Sequence, residues 1–175
     1  MLNNNLLRLA RMVNQVEINN EVGYVHHPIA SEWMEVLENI PNPISRKHIL
    51  EFSEHINLED AEQIKQFILM VLIWGYGDRG DHGNVENILS TPIEDIIRIF
   101  RETFDFLGIN NENSIRQAFE KLNEKRNGTK IINGLNMSFI SKYFYFIGKP
   151  RMKTKYPLIF DNKVNRALIR LSMTL

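Results

Sequence analysis

Residues 131–171 read IINGLNMSFISKYFYFIGKPRMKTKYPLIFDNKVNRALIRL. The spacing of apolar side chains predicts an aromatic-rich helix over Ser138 to Ile147, with Lys142 near its start. A cationic connection carrying Lys149, Arg151, Lys153 and Lys155 leads to the apolar run Pro157-Leu158-Ile159-Phe160. Asp161 follows that run directly and opens a further predicted helix, Asn162 to Leu171. Taken singly, each residue has an ordinary use. An aspartate before a helix is a common N-cap, and a lysine on an amphipathic helix can lay its stem along apolar surface with its amine in water.

Helical periodicity continues upstream, and strand alternation bounded by turn pairs is hard to find, so the chain reads as all-α. Helices are predicted over Leu2 to Val16, Ser31 to Asn39, Ser45 to His55, Glu59 to Trp74, Ile93 to Leu107 and Ser114 to Lys125. Turns are predicted at Pro41-Asn42-Pro43, Gly75 to Gly83, Gly108-Ile109-Asn110-Asn111 and Asn127-Gly128. Ser31, Ser45, Thr91 and Ser114 stand at cap positions, and Glu94 follows Thr91 at the capping-box distance. Residues 1–30 are expected to form an arm or added helix, and residues 31–175 one helical domain.

The 175 residues are 43% hydrophobic, enough for one buried core. The longest apolar run, Phe67 to Trp74, is too short to cross a bilayer. The N-terminus shows no secretory pattern and the chain has no cysteine, so a cytoplasmic location without membrane association is expected. Net charge is zero but unevenly spread. Residues 1–120 carry 9 Lys+Arg against 19 Asp+Glu, and residues 121–175 carry 12 against 2. Either the last third presents a phosphate-facing surface, or the two parts neutralise each other across an internal interface.

Lys142 and Asp161 lie 19 residues apart, one just inside a helix and the other just before the next. That arrangement resembles the catalytic pair of bifunctional helix-hairpin-helix DNA glycosylases, and is nearest to small bacterial proteins with the 8-oxoguanine glycosylase fold. The segment ILMVLIWGYGDRGDHGN at residues 68–84, an apolar helix running into Trp74-Gly75-Tyr76-Gly77, is similar to a stretch in the same relatives. Together the two segments cover about 60 of the 175 residues.

The resemblance implies a compact helical glycosylase-like fold with a degenerate helix-hairpin-helix near residues 115–148. It implies Lys142 as nucleophile and Asp161 as its acidic partner, acting as a monomer on double-stranded DNA that contains a damaged or modified base. A free lysine has a pKa of about 10.4, so attack requires a site that makes the amine available. Burial among Phe139, Phe144 and Tyr145 and the positive end of a helix dipole would disfavour the ammonium. An extruded base needs an aromatic-lined pocket, for which Trp74, Tyr76 and Tyr145 are the candidates. Backbone contacts would come from Gly134, Asn136 and Ser138 in the hairpin, where relatives often hold a monovalent cation, and from Lys149, Arg151, Lys153 and Lys155. No other cofactor is implied.

Two departures stand out. The family's hairpin has two glycines shortly before the lysine, whereas Ser138 and Ile140 occupy those positions here. Relatives also continue for several helices past the aspartate, so either the N-terminal part supplies that wall of the pocket or the form is a shortened one. A catalytically inactive glycosylase-fold module that binds DNA or a protein partner is therefore the alternative. The histidines lack metal-type spacing, and the loop Asp78-Arg79-Gly80-Asp81-His82-Gly83 lacks both the EF-hand positions and the P-loop lysine.

Overall fold

The computed structural model describes residues 22–23, 31–76, 84–109, 111–151, 156–160, 164 and 169. The predicted helix Leu2 to Val16 lies outside them. Along the described chain run β1 (Val22–Gly23), α1 (Ser31–Leu37), β2 (Ile44–Ser45), α2 (Arg46–His55), α3 (Ala61–Tyr76) and α4 (Asn84–Leu89). They are followed by α5 (Ile93–Ile109), α6 (Glu112–Leu122), β3 (Lys125–Arg126), β4 (Thr129–Lys130) and α7 (Met137–Arg151). The fold is mostly helical, as the sequence predicts. Two short antiparallel ladders and the helix α4 add to that prediction. β1 pairs with β2, Val22 opposite Ser45, and β3 with β4, Lys125 opposite Lys130.

α3 and α7 are the central helices. α3 buries Ile64, Phe67, Ile68, Leu69, Met70, Val71, Leu72 and Trp74, and packs against α1, α2, α5 and α7. α7 is buried without interruption from Phe139 to Gly148. A helix apolar on every side belongs in the middle of a fold, whereas one with a single apolar stripe lies on its surface. α5 is of the second kind, turning Ile96, Ile99, Phe100, Thr103, Phe104 and Leu107 inward. Where α3, α5 and α7 meet, Phe100 and Tyr143 stand edge to face at 4.9 Å and Phe67 and Phe104 at 5.6 Å. The Tyr143 hydroxyl, fully enclosed, donates to the Ile68 carbonyl at 3.2 Å.

Pro150, inside α7, has no N–H to give the carbonyl four residues back. That carbonyl belongs to buried Phe146, and the Ser53 hydroxyl of α2 lies 2.8 Å from it. A break in one helix is thus closed by a side chain from its neighbour.

Ser45 caps α2 as predicted: its hydroxyl accepts from the His48 N–H (3.3 Å) and His48 Nδ1 accepts from the Ser45 N–H (3.2 Å). At α6 the cap is Asn111, with Ser114 as its capping-box partner three residues on. The predicted cap at Ser114 is therefore three residues late. Gly75 and Gly108, predicted as turn residues, lie inside α3 and α5. Asn127 and Gly128, both with positive φ, form the two-residue turn of the β3–β4 hairpin. α6, this hairpin and α7 fill the span predicted to hold the helix-hairpin-helix.

Part of the charge asymmetry is settled by internal pairing. Lys121 bridges Glu102 (2.6 Å) and Glu124 (2.9 Å), while Arg126 and Arg98 converge on Asp95 at 2.9 and 3.1 Å. Hydrogen bonds from Arg126 and Arg98 hold the Asp95 carboxyl below its usual range, and Lys121 does the same for Glu124.

Ser53→Ala should cost about 1–3 kcal/mol in denaturant unfolding, because the Phe146 carbonyl loses its partner in a dry site; an unchanged midpoint would contradict the repair of the Pro150 break. The lowered carboxyls give stability that is present above the ordinary carboxylate range and lost as pH falls through their folded values. Urea midpoints of wild type should therefore drop more steeply below about pH 4 than those of Arg126→Gln, and parallel curves would contradict this.

Candidate active site

The connection into α7 turns at Gly134, whose φ of +84° suits glycine. A side chain there would also stand 2.7 Å from the Asn84 carbonyl of α4. Asn136 then starts the helix, its carbonyl accepting from Phe139 and Ile140 at 3.0 Å and its Oδ1 lying 3.3 Å from the Phe139 N–H. Ser138 falls in the first turn and Lys142 one turn later on the same face.

Lys142 is only 7% exposed. Its amine donates to Ser138 Oγ at 2.7 Å and to the Ser138 carbonyl at 3.3 Å, and lies 4.7 Å from the centre of the Phe139 ring. α3 closes the other side of the stem at Gly75. A Cβ there would come within 2.7 Å of Phe139 Cε1 and 3.3 Å of Lys142 Cδ. The second sequence segment thus meets the first at this point, through a glycine whose missing side chain makes room for the lysine.

Beside Lys142, Ser141 fastens the apolar run 157–160 to the helix. The Phe160 N–H donates to Ser141 Oγ at 2.8 Å, and that hydroxyl lies 3.2 Å from the Phe160 carbonyl. Asp161, Lys153 and Lys155 lie outside the described residues.

Trp74 and Tyr145, two of the base-pocket candidates, come together around Arg46 from the start of α2. The guanidinium carbon sits 4.9 Å from the Trp74 ring centre and 5.7 Å from that of Tyr145. Trp74 also stands edge to face with Phe146 at 5.1 Å, and Tyr156 with Tyr145 at 5.9 Å. The third candidate, Tyr76, ends α3, and its side chain lies outside what is described. Lys149 donates to the Tyr145 hydroxyl at 3.0 Å. Arg151 turns back to the carbonyls of Ile147 (3.4 Å) and Ile56 (3.3 Å), and burial pulls its guanidinium below the ordinary value. A groove of about 480 Å³ lies between α2 and the end of α7, lined by Arg46, Lys47, Leu50, Glu51, Glu54, Lys149 and Pro150.

Sequence reading missed Arg46, Ser141 and the contact at Gly75. Only the last had a signal, a glycine inside an otherwise unbroken apolar helix, which marks close approach. Among the described residues no helix is long and apolar enough to cross a membrane.

The chain matches, over residues 20–174, the family described as "Putative 8-oxoguanine DNA glycosylase OGG-like protein", and it belongs to that family. Neither curated proteins nor solved structures give a match.

Gly75→Ala should destabilise the fold by about 1–3 kcal/mol, since the buried Phe139 ring has little room to yield. The same substitution at Gly108, where a Cβ meets nothing, should be neutral or stabilising. Equal melting temperatures for the two variants would contradict the close approach.

Proposed function

We propose that the protein is a bifunctional DNA glycosylase and apurinic-site lyase that removes an oxidised or otherwise modified base, of the 8-oxoguanine kind, from duplex DNA. The observation that carries this reading is the seating of a buried lysine amine beside a chain segment pinned to the same helix. Ser141, next to Lys142, holds Phe160 by hydrogen bonds, and Asp161 is the next residue in the sequence. Titratable groups in such enclosed settings are enriched at functional sites.

In the proposed reaction the uncharged Lys142 amine attacks C1′ of the extruded nucleotide. The N–C1′ bond forms as the bond to the base breaks, and the base leaves with that electron pair and takes up a proton. The Lys142 nitrogen loses a proton, the sugar ring opens, and a Schiff base remains. Loss of a proton from C2′ then expels the 3′ phosphate and nicks the strand. Asp161 orients or deprotonates the amine and offsets positive charge developing on the sugar. The cationic side chains of the last third supply affinity for the phosphate backbone.

The position of Arg46 between Trp74 and Tyr145 favours a second reading, a module that binds DNA without chemistry, because those ring faces already have a partner.

Borohydride reduction separates the two. With duplexes carrying 8-oxoguanine or an abasic site, wild type should give a covalent protein–DNA adduct. Lys142→Gln should give none, Asp161→Asn should form it at least about 10²-fold more slowly, and Lys149→Gln should still form it when the duplex is saturating. Binding without an adduct on every duplex would establish the module, and an undiminished adduct in Lys142→Gln would remove that lysine from the reaction.

A further inference from the structure

We propose that Ser138 is a positioning residue for the Lys142 amine, fixing the direction of the nitrogen lone pair during attack. The proposal rests on the reading of Lys142 as nucleophile. An uncharged amine has two N–H bonds and one lone pair in a roughly tetrahedral arrangement. In this site two acceptors on one residue, Ser138 Oγ at 2.7 Å and Ser138 O at 3.3 Å, face that nitrogen. With both N–H bonds turned toward Ser138, the lone pair points away from it. The amine cannot then turn about its carbon–nitrogen bond without giving up a hydrogen bond in a part-buried setting.

The stem below the amine is equally restricted. The stem runs past Gly75, where a Cβ would stand 3.3 Å from Lys142 Cδ, and the amine lies over the face of the Phe139 ring. A lysine on an open surface samples many rotamers, and ordering it costs up to about 2 kcal/mol. Here that cost is met on folding, before any substrate is present, which is the condition under which orientation accelerates a reaction. Ser138 also stands at one of the two positions where the resembled hairpin carries glycine. Glycine has no hydroxyl to offer, so the serine adds a contact to the lysine and does not merely replace a backbone shape.

The test compares wild type, Ser138→Ala and Ser138→Thr, using single-turnover borohydride trapping on an abasic-site duplex and binding of the same duplex by fluorescence anisotropy. Thr keeps the hydroxyl and Ala removes it. The expected result is a trapping rate about tenfold lower in Ser138→Ala, a rate within about twofold of wild type in Ser138→Thr, and closely similar dissociation constants for all three. Trapping in Ser138→Ala as fast as in wild type overturns the proposal, as does equal slowing by both substitutions.

A second measurement stands apart from activity. In protein labelled with ¹⁵N at lysine Nζ, the Lys142 amine protons should exchange slowly with water in wild type and Ser138→Thr, and rapidly in Ser138→Ala. If wild type forms no adduct with any duplex, the nucleophile reading fails, and the exchange rates then decide the role of Ser138. Slow exchange that depends on the hydroxyl upholds its hold on the amine, and exchange indifferent to it overturns that hold.

Discussion

A helix buried from Phe139 to Gly148 must satisfy most of the polar atoms it carries from within the protein, because little water reaches them. α7 meets that condition at four places. Tyr143 gives its hydroxyl to Ile68, the Phe146 carbonyl faces the Ser53 hydroxyl, Ser141 Oγ accepts from the Phe160 N–H, and Lys142 turns its amine back on Ser138. These contacts tie α7 to α3, to α2 and to the segment 156–160. The same bonds that make the central helix tolerable in a dry core therefore fix the relative positions of the parts around Lys142.

A lysine in such a setting is costly, since removing an ammonium from water disfavours the folded state unless its partners offset the loss. Leucine or methionine would fill the same volume without that cost. Local choices that work against stability concentrate at functional sites, and Lys142 is the clearest instance among the described residues. The cations Lys121 and Arg126, by contrast, stand in an ion-pair network with α5 that accounts for itself structurally. The basic last third thus divides, with one part neutralising acidic side chains and another part falling, in sequence, on and after α7.

Much of this architecture is legible in the sequence. α3 and α7 are announced by apolar runs that no surface helix would carry, and Ser45 by its position before a periodic stretch. What escapes has identifiable causes. α4 is six residues long, too short for periodicity to register, and each ladder is two residues long, below any alternation signal. Asn111 and Ser114 are both good capping residues, and only the three-dimensional path of the chain shows which of them is the cap. At the site, Lys142 and the glycine motif are readable because they are local. The stacking of Arg46 on Trp74 and Tyr145, and the grip of Ser141 on Phe160, join residues far apart in the chain, and no spacing rule reaches them.

The central claim is that the nitrogen bonded to sugar carbon in the reaction belongs to Lys142. Mass spectrometry of a protease digest of the reduced protein–DNA adduct reads this directly. The account predicts the mass of the sugar remnant on the peptide containing Lys142 and on no other. A remnant carried by the N-terminal amine, or by a peptide bearing Lys149, Lys153 or Lys155, would contradict it.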